Sequence, residues 1–190
     1  IGWCDWSSDV CSSDLVDVPP QSIISLSFPL GGYLKYTALQ PGMHVRKGQV
    51  LAVMEDMQFI QLQQDYLMAK EKLKLSESEF RRQQELNASK ASSDKVFQQA
   101  RSDYETANIT VRALEQKLAV IGIEAATLSP GTISKEVRIH SPIDGYVSKV
   151  NVNIGKYSSP TDNLFDLIDP RDIHLALTVF GADLNKIAVG

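Results

Sequence analysis

The three histidines, four methionines and two cysteines of this chain are the residues best suited to metal or nucleophilic chemistry, and their spacing argues against most of it. His44, His140 and His174 are widely separated, and none stands at a ligand-type spacing from another. Met43 beside His44, and Met54 with Met57, offer soft donors to monovalent copper or silver. Methionine among apolar strand residues is ordinarily core filler, however, so no metal site is assigned. No nucleophile stands with a base, no glycine-rich phosphate loop occurs and no pair of carboxylates is placed for acid–base work. The chain is read as non-enzymatic and without a cofactor.

Cys4 and Cys11, the only cysteines, lie in a stretch with no helical or strand period and an internal Ser-Ser-Asp echo, Asp5 to Leu15. That stretch looks like translated sequencing-adapter DNA. Residues 1–15 are therefore expected to be a non-native segment, and no disulfide or redox compartment is inferred from its cysteines.

The elements that position everything else are set by a repeat. Pro29, Gly32, Tyr33, Gly42 and Leu51 recur as Pro142, Gly145, Tyr146, Gly155 and Leu164, all at one offset of 113 residues. Five matches at one offset predict two copies of the same β unit: residues 29–55 as the first half and 141–170 as the second, with 16–28 a lead-in strand. Gly32, Gly42, Gly145 and Gly155 are the structural turn glycines, with positive φ expected at Gly42 and Gly155.

Between the halves, Phe59, Leu62, Tyr66, Ala69, Leu73, Ser76 and Phe80 step by threes and fours, as do Phe97, Ala100, Tyr104, Ala107, Val111, Leu114, Leu118 and Ile121. Two heptad seams separated by the Asn87–Ser93 break predict an antiparallel coiled-coil hairpin over 56–122. Each arm should reach about 45 Å at 1.5 Å per residue. Ser92 or Ser93 is the expected N-cap of the second arm, with Asp94 in its first turn. Between Met57 and Gly122 there are ten basic and nine acidic residues, the balance of a solvated outer face; Glu79 and Lys72 are read as such outer positions. Residues 123–140 are a linker and strand, and 171–190 read as the opening of a further domain cut short.

Composition agrees with a folded α+β protein: 43% of the 190 residues are hydrophobic, 22% are charged, and the net charge is −4. Without a basic run there is no electrostatic footprint for nucleic acid. The longest apolar stretches, Val50 to Met54 and Ile173 to Val179, are far short of the roughly 18 residues that suggest a transmembrane helix.

Taken together these residues resemble the periplasmic adaptor subunits, or membrane fusion proteins, of resistance-nodulation-division efflux pumps. The resemblance rests on the halves Pro29 to Met54 and Ser141 to Asp169, the inserted hairpin, and Ile173 to Val179, which looks like the first strand of the family's β-barrel domain. The wording of Ser141-Pro142-Ile143-Asp144-Gly145-Tyr146-Val147 and Val152-Asn153-Ile154-Gly155-Lys156 is similar to the heavy-metal branch, the cobalt-zinc-cadmium and copper-silver exporters. Gly181 departs from the acidic residue usual after that strand.

The resemblance implies a split lipoyl/biotinyl-like β-sandwich with an inserted helical hairpin and the edges of a truncated β-barrel domain. It also implies a hairpin tip in which Arg82, Leu86 and Ser93 dock onto an outer-membrane channel. The implied partners are an inner-membrane permease of that class, the outer-membrane channel protein and further copies of the chain in a hexameric ring. The implied place is the periplasm of a Gram-negative bacterium, anchored to the inner membrane by a part of the protein outside this stretch. A drug-efflux adaptor and an adaptor for an ABC or type I secretion exporter are the alternatives. A biotin or lipoyl carrier is remote: Met54-Glu55-Asp56-Met57-Gln58 is similar to the carrier pattern, but Gln58 stands where the acylated lysine belongs, and an amide cannot be acylated.

Overall fold

A computed structural model describes residues 15–17, 22–172 and 174–176; the segment read as non-native, with Cys4 and Cys11, lies outside them up to residue 14, as do Gly181 and residues 177–190. Ten strands and two long helices are described. The strands are β1 (Leu15–Asp17), β2 (Ile23–Leu26), β3 (Gly32–Thr37), β4 (His44–Val45), β5 (Val50–Glu55), β6 (Glu136–His140), β7 (Gly145–Val150), β8 (Tyr157–Ser158), β9 (Phe165–Ile168) and β10 (His174–Ala176). The helices α1 (Met57–Ala88) and α2 (Asp94–Val120) fall between β5 and β6.

The repeat is deeper than its five identities. In β3 and β7 burial alternates identically, with Gly32, Leu34, Gly145 and Val147 inward and Tyr33, Lys35, Tyr146 and Ser148 outward. That is the period-2 signature of a half-buried strand. Both strands slip register at the same place, between Leu34 and Tyr36 in one and Val147 and Lys149 in the other. The repeat also begins earlier than Pro29. Strand β2 pairs β9 as Ile23↔Ile168 to Leu26↔Phe165, and β6 pairs β5 as Glu136↔Glu55 to Ile139↔Ala52, the same register 113 residues on. Neither lead-in strand is a mere connector.

Two four-stranded sheets result, in the orders β2-β9-β7-β4 and β6-β5-β3-β8. Each half supplies the two central strands of one sheet and both edge strands of the other, so neither half completes a sheet without its twin. Backbone bonds repeat the exchange: Gly42 N–H donates to the Val147 carbonyl at 2.8 Å and Gly155 N–H to the Leu34 carbonyl at 2.8 Å. The core between the sheets is Leu34, Val45, Leu51, Met54, Val147, Leu164, Phe165 and Leu167, all at most 2% exposed. Beyond the sandwich, β1 pairs β10 antiparallel. The pairing starts at Leu15, the last residue of the segment read as non-native.

The hairpin leaves the sandwich directly after β5. Asp56 caps α1, its carboxylate accepting from Gln58 N–H at 2.8 Å, which places Gln58 in the first turn of a helix. Phe59 is fully buried and meets Phe28 edge-on at a centroid distance of 5.6 Å, fastening the hairpin to the sandwich. Helices of 32 and 27 residues project about 48 and 40 Å.

Candidate functional site

Along the hairpin the seam changes character. At the base it is apolar and closed: Phe59, Tyr66, Val111, Leu118 and Ile121 are buried. Gln63, buried beside them, uses its amide as a clip. Its Nε2 donates to the Phe59 and Ser134 carbonyls at 2.6 and 2.7 Å, and its Oε1 accepts from Ser134 N–H at 3.1 Å. In the middle the seam carries small residues, half-buried Ala69 and buried Ala107. Towards the far end the seam becomes an aromatic stack, Phe80 lying 5.4 Å from Tyr104 and 5.8 Å from Phe97.

The tip is a polar network. Ser93 is the N-cap of α2, its hydroxyl accepting from Val96 N–H at 3.5 Å, and Asp94 sits in the favourable first turn. Arg82 is exposed and donates from Nη2 to Glu79 Oε2 at 2.6 Å. Glu79 Oε1 in turn accepts from Gln83 Nε2 at 2.8 Å, and Gln83 Oε1 accepts from Ser92 Oγ at 2.8 Å. Asn87 reaches across the turn to Asp94 at 2.9 Å. The bonds from Arg82 and then Gln83 hold the Glu79 carboxyl below the usual glutamate range. Leu86 is 38% exposed and has no backbone slack: its carbonyl accepts from Ala91 N–H at 2.8 Å, closing the turn.

Arg82, Leu86 and Ser93 thus fall at one end of the molecule, within the turn or the last two turns before it. Two sequence expectations need correction. Glu79 is no neutral outer-face position, because it binds both Arg82 and Gln83. The seam does not end at Phe80 either: it steps on by three to buried Gln83 and by four to half-buried Asn87. The spacing was there to be read, but amides at those steps carry no hydrophobic signal. Gln63 was missed for the same reason.

The turn glycines are placed as follows. Gly42 and Gly155 take φ of 86° and 81° in equivalent turns, in open space, so a side chain there would be opposed by backbone conformation alone. Gly32 has φ of 136°. Gly145 is needed for close approach, since a Cβ would sit 2.2 Å from the Ile168 carbonyl oxygen.

Between β5 and β6 of this interlocked sandwich the chain inserts its helical hairpin. Within it, residues 61–120 match a family model described as CzcB-like, alpha-helical hairpin domain. The chain is 26% identical over 161 residues to the cobalt-zinc-cadmium resistance protein CzcB of Cupriavidus metallidurans, covering 85% of this chain and 30% of that protein. The crystal structure of ZneB, also from Cupriavidus metallidurans, superposes with a TM-score of 0.60 and 25% identity over 93% of this chain and 73% of that one. A MacA-MexA chimera containing the Pseudomonas aeruginosa MexA alpha-hairpin domain shares the fold at 17% identity and a TM-score of 0.59, over 94% of this chain and 61% of that one. The hairpin thus matches the CzcB-like model, the wider sequence is similar to CzcB, and the fold is shared with ZneB. The chain spans less than a third of the length of the curated relative it matches.

Proposed function

We propose that the protein containing this chain is a periplasmic adaptor joining an inner-membrane resistance-nodulation-division transporter to an outer-membrane channel, for export of heavy-metal cations. The observation that carries this reading is the CzcB-like hairpin standing on the exchanged lipoyl-like sandwich, at the position where it can act as a strut. The work is mechanical coupling. Among the described residues no three His, Cys, Asp or Glu side chains gather as a metal site. No helix among the described residues is long and apolar enough to cross a membrane.

The tip supplies docking chemistry. Arg82 offers hydrogen bonds to the carbonyls of a partner, Leu86 an apolar anchor, and Ser93 a fixed start to α2. Copies of the adaptor packed as a ring, hexameric by the family resemblance, would multiply weak tip contacts, because each docked hairpin raises the effective concentration of the next. The test replaces the native adaptor gene with a deletion and with the full-length gene, and follows growth in toxic zinc, cobalt, cadmium and copper. Resistance to one or more metals should return with the full-length gene, and in-cell cross-linking should trap several adaptors per assembly. No metal sensitivity in the deletion strain, with sensitivity to organic drugs instead, would move the substrate to the drug-efflux alternative. A single adaptor per assembly would exclude the ring.

A further inference from the structure

Two glutamines are buried in the hairpin seam, and they are used differently. Gln63 at the base bonds only backbone, tying α1 to the chain ahead of β6. Gln83 near the tip bonds only side chains, and one of them holds Arg82. An amide in a coiled-coil seam costs stability relative to an apolar side chain unless its bonds are made, so its contribution at residue 83 lies in those bonds.

They form one line across the hairpin: Ser92 Oγ donates to Gln83 Oε1, Gln83 Nε2 to Glu79 Oε1, and Arg82 Nη2 to Glu79 Oε2. A pair such as Arg82 with Glu79, 66% and 40% exposed, is worth little by itself and leaves both side chains free to wander. Gln83 removes that freedom from the carboxylate, anchoring it from the buried side. Of the five N–H donors of a guanidinium, the pair occupies one; the other four carry no bond among the described residues. The fork is therefore held without being used up.

We propose that Gln83, backed by Ser92 and acting through Glu79, is the positioning residue for Arg82: it presets the direction of the guanidinium that the partner meets. This rests on the docking reading of Arg82 given above. A partner meeting an ordered fork loses less side-chain entropy on binding than one meeting a mobile arginine. The remaining donors of the fork are offered in a fixed direction to oxygen acceptors of the partner.

The experiment compares this chain with its Gln83→Met and Ser92→Ala variants, methionine being of similar length and able to fill the seam without bonding. Nitrogen relaxation of the Arg82 Nε–H should give an ordered side chain in the unaltered protein and an order parameter below about 0.6 in Gln83→Met. Ser92→Ala should fall in between. Thermal unfolding of Gln83→Met should be unchanged or shifted upward, which a merely structural role would not allow. In cells carrying the full-length adaptor, Gln83→Met should lower metal resistance several-fold, with no further loss when added to Arg82→Ala. Unaltered Arg82 order in Gln83→Met, or an equal further loss in the Arg82→Ala background, overturns the positioning role while leaving docking intact. Lost Arg82 order in Gln83→Met together with full resistance in Arg82→Asp overturns instead the docking reading on which it rests.

Discussion

The hairpin closes both of its helices with the same turn and builds the two turns from opposite materials. At the base, α2 ends with Ile123 N–H on the Leu118 carbonyl at 2.9 Å and Gly122 N–H on the Ala119 carbonyl at 3.0 Å. At the tip, α1 ends with Ala91 N–H on the Leu86 carbonyl at 2.8 Å and Lys90 N–H on the Asn87 carbonyl at 2.9 Å. Both are Schellman closures, which require a left-handed residue. The base uses glycine, Gly122 at φ 77°, over a fully buried Leu118; the tip uses lysine, Lys90 at φ 56°, over a Leu86 that is 38% exposed. A left-handed lysine costs about 1–2 kcal/mol, and an exposed leucine forgoes burial. The base is made for stability, whereas the tip gives stability up and keeps an apolar side chain and a guanidinium at the surface. Strain and exposure concentrated together support the docking role proposed for the tip.

The largest effect should come from emptying the base. Phe59→Ala removes a fully buried ring at the joint of hairpin and sandwich and should cost about 3–5 kcal/mol, read by urea unfolding, with Leu118→Ala at about 2–5 kcal/mol. If these changes cost no more than changes at the tip, the contrast between the ends is wrong. Next come the exchanged turns: Gly42→Val and Gly155→Val should each destabilise by about 1 kcal/mol or more, and by similar amounts if the halves are equivalent in energy as in geometry. Unchanged melting of both would count against that equivalence.

At the tip the sign reverses. Lys90→Gly should stabilise the hairpin by about 1 kcal/mol, whereas Gly122→Ala should destabilise it by a comparable amount. Matching shifts in the same direction would remove the comparison. The smallest effects concern charge. Because Glu79 is held below its ordinary value in the folded hairpin, its contribution is complete above the unfolded glutamate range and is lost as pH falls through the lower folded value. Helicity near the tip should therefore be flat around neutral pH and weaken only in acid, and Glu79→Gln should abolish that dependence. Lys72→Ala, on the exposed face, should stay within about 0.5 kcal/mol of the parent.

Much of this was legible because hydrophobic period and turn chemistry agree. The seam residues from Phe59 to Phe80 and from Phe97 to Ile121 gave two helices, and the shared spacing of Pro29, Gly32 and Gly42 with Pro142, Gly145 and Gly155 gave two like halves. What stayed hidden was of two kinds. The exchange of edge strands depends on which strand lies beside which, and β4 and β8 are two residues each, too short to announce a partner. Polar seam members are the other kind: Gln63, Gln83 and Glu79 look solvated in sequence, and only their bonds show that two are buried and the third is engaged. Lys90 could not be read as left-handed either, since nothing in its type favours that conformation.

The central claim is that the tip serves contact and the base serves the fold, and Arg82→Asp in the full-length adaptor tests it most directly. The measurement is growth in toxic zinc, cobalt, cadmium or copper beside an immunoblot for adaptor level, with helicity of the purified variant as a check. Resistance should be lost while protein level and helicity are retained, since the reversed charge sets a carboxylate against partner carbonyls at a position outside the core. Leu86→Ser should show a smaller loss of the same kind, from an apolar contact worth about 1–3 kcal/mol. Full resistance with Arg82→Asp would contradict the claim, and loss of resistance together with loss of the protein would show that the tip, like the base, is there for the fold.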